Sequence, residues 1–157
     1  MNEFFSVVEN KIKFYDVIKT WLFVPYFHMG RTRGGIDCLG VVGEILKESS
    51  ILQDYYDSEY PKDWFIHGDE QLVLNSIERN FEYLKPGILC RQDEGTKMFG
   101  DLLCFWTRRR GICNHVAFFL SSGNMIHCTE GSGVHISQPE RWENRLMKKY
   151  RLYFESE

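Results

Sequence analysis

Apolar residues recur at helical spacing from Glu3 to Leu22, through Val7, Val8, Ile12, Tyr15, Ile18 and Leu22, and Pro25 stops the pattern. The spacing predicts a first helix that turns these residues inward. After a loop containing Gly30, Gly34 and Gly35, Asp37 is placed to cap a second helix running from about Cys38 to Lys47. Leu39, Val41, Val42, Ile45 and Leu46 leave that helix little polar surface, so it is expected to be largely buried. Gly40 and Gly43 lie one turn apart in it and each costs about 1 kcal/mol relative to Ala; close packing of the helix on a sheet is the simplest reason for them.

Residues 50–68 are aromatic-rich without a clear period and read as irregular chain packed over the core. Asp69 is placed to cap a third helix to about Tyr83, with Leu72, Leu74, Ile77, Phe81 and Leu84 on its inner side, and Pro86-Gly87 ends it. The second half changes character. Short apolar runs at 102–106, 115–120, 125–128, 133–136 and 150–154 are separated by turn residues and read as strands. Helices first and strands after, with short connections, give an α+β fold with an antiparallel sheet. With no repeat, linker or low-complexity tract, residues 1–157 read as a single domain.

Composition narrows the function. Hydrophobic residues make up 43% of the chain and aromatic residues 15%, ample for a core. A formal charge of -3 lacks the basic excess that a phosphate backbone calls for, so nucleic acid is not an expected partner. No stretch approaches the roughly 20 apolar residues of a bilayer span, and no membrane insertion is expected. Glu3 and Glu9 interrupt the first apolar residues before a signal-peptide core develops, which predicts cytoplasmic synthesis without a cleaved signal. Cys38, Cys90, Cys104, Cys113 and Cys128 are odd in number and irregular in spacing, as free thiols are. Cys113, His115, His127 and Cys128 are competent zinc ligands, but no Cys-x-x-Cys pair occurs and adjacent Cys and His on a strand point to opposite faces; no metal is expected.

The candidate chemistry lies in one cysteine and two histidines. Cys38 falls at a predicted helix N-terminus, where unpaired N–H groups and the helix dipole favour a thiolate and can receive an oxyanion. A small buried hydrophobe is the bland alternative. His115 opens an otherwise apolar strand, and His127 sits inside the next one. A three-residue turn Ser121-Ser122-Gly123, with Gly123 in the left-handed region, pairs Leu120 with Asn124 and His115 with Thr129. His127 is then a diagonal neighbour of His115 on the same face, about 7 to 8 Å away by backbone and within reach of two imidazoles.

Taken in order, Val24-Pro25-Tyr26, Gly35-Ile36-Asp37-Cys38-x-Gly40, Gly100-Asp101-Leu102, Asn114-His115-Val116 and Met125-Ile126-His127 resemble the NlpC-type papain-like cysteine peptidases of bacterial cell walls. The resemblance implies a papain-like fold with the nucleophile at a helix N-terminus packed on an antiparallel sheet. It implies Cys38 as nucleophile, His115 as base, His127 as the third polar residue and Tyr26 near the oxyanion, with no cofactor. It further implies peptidoglycan stem peptides as substrate, with the γ-D-glutamyl bond before the diamino acid as the candidate bond. Leu39 stands where many members have Ser; Asp37 is expected to keep its part in holding the substrate's free amine. The strings His28-Met-Gly-Arg-Thr-Arg-Gly-Gly and Tyr60-Pro-Lys-Asp-Trp64-Phe-Ile-His67 resemble the phage-encoded branch, which implies phage tail proteins as partners and action on the wall after assembly or lysis. An amidase or acyltransferase on the same thiol, and a catalytically idle tail component, are the alternatives. Arg108-Arg109-Arg110 reads as a solvated loop, and Asp63, Trp64 and His67 as an ordered structural one.

Overall fold

The computed structural model describes residues 2–156, and its first apolar run is divided: a 3-10 turn over Phe4–Ser6 precedes helix α1 (Val8–Trp21). The buried face of α1 is Phe14, Ile18 and Trp21. This corrects the expected stripe, since Val8, Ile12 and Tyr15 are 62%, 56% and 42% exposed. Two apolar stripes compete on this helix, and the aromatic one removes more surface from water per residue. Phe14 meets Phe5 and Phe118 edge-on at 4.8 and 5.0 Å.

A minimal hairpin of β1 (Arg31–Thr32) and β2 (Gly35–Ile36) leads into helix α2 (Cys38–Glu48), which Asp37 caps as expected. The following segment is irregular except for one helical turn, α3 (Trp64–His67). Helix α4 (Leu72–Arg79) begins later than the sequence suggests and passes into a 3-10 turn at Asn80–Tyr83. Asp69 does not cap it: Gln71 holds that position, and the Asp69 carboxylate is taken by Arg109.

Strands β3 (Ile88–Gln92), β4 (Leu102–Phe105), β5 (His115–Phe119), β6 (Met125–Thr129), β7 (Gly133–Ser137) and β8 (Leu146–Phe154) form one antiparallel sheet ordered β3-β8-β4-β5-β6-β7. β3 escapes a pattern search because it is a half-exposed edge strand ending in Arg91 and Gln92. β8 starts four residues before its apolar run, since Lys149 is drawn inward by Asp93 at 2.5 Å and Asp101 at 3.4 Å. Val116, Phe118, Ile126 and Cys128 join the main core with α1, α2 and α4. A smaller core of Leu103, Phe105, Ala117 and Met125 is covered by Trp142 from a 3-10 segment, Pro139–Arg145.

The β5–β6 turn has the expected register, with Leu120 N donating to Asn124 O at 2.7 Å and Phe118 opposite Ile126. Gly123 is left-handed at φ 78°, and Ser122 shares that conformation at φ 65°. The ladder ends at Phe118 and Ile126, so the expected His115–Thr129 pair is not made. The two strands part where the N-terminus of α2 meets the sheet.

Candidate active site

Asp37 organises the loop ahead of α2. Only 3% exposed, it accepts from Gly40 N at 2.8 Å, Met29 N at 2.9 Å, Arg31 Nη1 at 2.8 Å and the Tyr60 hydroxyl. Arg31 is held in turn by Asp57 at 3.0 Å and by the Gly30 carbonyl at 2.7 Å. Gly40 makes this possible. A Cβ there would stand 2.7 Å from Arg31 Nη1 and 2.8 Å from Gly30 O, so the glycine admits the guanidinium and does not serve sheet packing. Gly43 likewise faces Tyr55, whose ring would be 3.1 Å from an added Cβ.

Cys38 is the first residue of α2 and is half-buried. Its N–H, one of the donors a helix start leaves free, has no hydrogen-bond partner among the described residues. The sulfur donates to Asn114 O at 3.8 Å, and the nearby Val116 N–H favours its charged form. Cys38 thus sits against the backbone on both sides of His115. His115 Nε2 lies 2.7 Å from His127 Nδ1, and His127 Nε2 lies 2.7 Å from Ser137 Oγ. Trp142 stacks on the His115 ring, with centroids 4.8 Å apart and planes 22° from parallel. His115 Nδ1 has no hydrogen-bond partner among the described residues, and no hydrogen bond joins it to Cys38.

Burial, reinforced by the charge of Asp37, pushes the Cys38 thiol up, against the single downward pull of the Val116 N–H. The helix end alone therefore does not hold a thiolate, contrary to the sequence expectation. Burial, then His127 and His135, holds His115 well below the ordinary imidazole range, and burial with His135 pushes His127 down to about 4. At neutral pH the site holds a thiol and uncharged imidazoles. Two proton arrangements satisfy this chain of contacts; in the one a general base requires, His115 donates Nε2–H to His127, His127 donates Nε2–H to Ser137, and His115 Nδ1 is left bare as an acceptor.

Cys38, His115, Tyr26 and Asp37 line one cleft of about 640 Å³. Tyr26 is half-buried, and burial with the nearby Asp37 pushes its hydroxyl up to about 12, so it remains a donor. Asp63, Trp64 and Arg108 also line the cleft, and Arg108 faces Asp63 at 3.8 Å. Arg108 is thus a wall residue, while Arg109 pairs with Asp69 and Arg110 is exposed. The side chain of His67 falls outside the described residues. His28 Nε2 contacts Tyr60 O at 3.0 Å, and the His135 ring lies 4.5 Å from that of His127. Sequence reasoning overlooked Ser137, Trp142, Arg145 and Tyr60. Ser137 had a signal, since it alternates with His135 on the strand paired to His127; the others sit in segments without a period.

The NlpC/P60 family pattern matches residues 23–151, and the chain belongs to that family. Over 156 residues, 96% of this chain and 69% of the relative, it is 26% identical to the murein DD-endopeptidase MepS/murein LD-carboxypeptidase of Escherichia coli K12. Among solved structures it shares its fold with an NlpC/P60 family protein of Bacillus cereus at TM-score 0.55 and 21% identity, covering 88% of this chain but only 38% of that one. The NlpC/p60 domain of the peptidoglycan hydrolase SagA matches at TM-score 0.54 and 19% identity, with 88% of this chain and 95% of that domain covered.

Proposed function

We propose that this chain is a cysteine peptidase that hydrolyses amide bonds in peptidoglycan stem peptides, with Cys38 as nucleophile, His115 as general base and His127 as the residue that orients it. The observation that carries the reading is the shared cleft, which a thiol at a helix start lines together with an imidazole whose far nitrogen is already held by His127. On substrate binding the sulfur turns from Asn114 O toward His115 Nδ1. Because separated charges are costly in so dry a site, proton transfer to Nδ1 accompanies attack on the carbonyl and does not precede it. The Cys38 N–H and the Tyr26 hydroxyl are the donors available to the oxyanion. His115 then protonates the leaving amine, and a water activated at the same nitrogen releases the acyl group.

Asp37 is better suited to anchoring the nucleophile loop than to holding a substrate amine, since an amine would have to displace one of its four donors. The γ-D-glutamyl bond before the diamino acid is the candidate bond. Action on murein by the Escherichia coli relative supports the substrate class. Purified muropeptides of known composition, incubated with the protein and analysed by mass spectrometry, should give products one water heavier in total at one type of bond. Absence of product relative to Cys38→Ala overturns the peptidase reading, and a product carrying another nucleophile in place of water points to an acyltransferase. Association with phage tails rests on the two sequence strings alone; detecting the chain in purified virions tests it.

A further inference from the structure

The charged residues lining the cleft are Asp37, Lys62, Asp63, Arg108, Glu130 and Arg145. Asp37 pairs with Arg31 at 2.8 Å, Lys62 with Glu130 at 2.9 Å, and Asp63 with Arg108 at 3.8 Å. Arg145 alone has no carboxylate partner among the described residues; its guanidinium lies over the Trp106 ring, 5.4 Å from the centroid. It is half-buried, and a guanidinium partly withdrawn from water is best completed by a planar anion.

Its position is set by its neighbours. Arg145 and Trp142 are three residues apart in the 3-10 segment, so their side chains eclipse, one turn or about 6 Å apart along the axis. Trp142 is the residue stacked on His115. The end of the segment is pinned by Trp106 N donating to Arg145 O at 3.1 Å. Arg145 therefore lies on the His115 side of the thiol, whereas Asp37 and Tyr60 flank Cys38.

The imidazole that protonates the leaving amine must stand over the leaving half of the substrate. We propose that Arg145 binds a carboxylate carried by that leaving half. This rests on the peptidase reading above. The carboxylate is either the terminal one of a short leaving peptide or the free one on a diamino acid side chain.

Synthetic stem peptides containing a diamino acid, prepared with both carboxylates free or with each amidated in turn, separate these sources. Rates are compared as the acid-to-amide ratio of kcat/KM within one enzyme preparation, so a partly unfolded variant does not distort the result. The parent should prefer the acid at one position by about ten- to a hundredfold, the range of a charge-assisted bond, and that position identifies the source. Arg145→Gln should bring the ratio near one, and Arg145→Lys should restore part of it. Equal turnover of acid and amides by the parent, or an undiminished ratio in Arg145→Gln, overturns the inference while the peptidase reading stands. No turnover of any peptide by the parent removes both.

Discussion

Asp37, beside Cys38, and Arg145, one 3-10 turn from the tryptophan that covers His115, line the same cleft in opposite conditions. Asp37 is buried and saturated by four donors, one of them a guanidinium that is itself held from two other sides. Arg145 is half-buried, pinned through its backbone and left without a counter-charge. A charge whose hydrogen-bonding capacity is used up inside the protein contributes to positioning and stability; one left open toward a cleft is available to a ligand. Net charge and residue type do not distinguish the two cases.

The comparison has meaning only if Cys38 reacts. Cys38→Ala should lower muropeptide turnover by on the order of 10⁴-fold or more, to the level of buffer, in the mass-spectrometric assay. Asp37→Ala should lower the unfolding free energy by about 2 to 4 kcal/mol in urea titrations, because two buried N–H groups lose their acceptor and Arg31 keeps only Asp57 as its carboxylate partner. Arg145→Ala should change it by less than about 1 kcal/mol. Equal stability of the two variants, with Asp37→Ala losing only amine-bearing substrates, would make Asp37 a ligand residue as well and dissolve the contrast.

The histidines add a pH dependence between the two sides. His127 titrates at about 4 in the folded chain against an ordinary 6.5, so on acidification the unfolded chain takes up the proton first. Its contribution is complete above about pH 6.5 and is lost as pH falls toward 4, by about 3 kcal/mol at most. Urea midpoints measured across that range should fall, and less steeply in His127→Asn. At neutral pH His127→Ala leaves the far nitrogen of His115 without its partner, costing about 1 to 3 kcal/mol, while His127→Asn retains an acceptor and should keep more activity. Ser137→Ala is the mildest change. With the His127 Nε2–H left to water, kcat should fall by about tenfold or less at unchanged KM, and Ser137→Thr should restore it.

Some of this was legible along the chain because the signals are local. The cap at Asp37, the start of α2 at Cys38 and the turn that sets His115 and His127 on one face each depend on residues a few positions apart. The α1 face was misread because two apolar stripes of similar period share the helix, and only the aromatic partners Phe5 and Phe118 select between them. β3 and the start of β8 were missed because their residues are polar until the neighbouring strands and carboxylates are in place.

The sequence by itself determined the α+β class, the thiol at a helix start and the two histidines that can meet. Tertiary structure alone decided their state and surroundings. Tyr60 reaches Asp37 from 23 positions away, the β5–β6 ladder stops at Phe118 and Ile126 short of the thiol, and Trp142 and Arg145 arrive from a segment with no periodicity. Protonation and charge pairing depend on burial and on which groups lie within a few ångströms, and neither is encoded in local spacing.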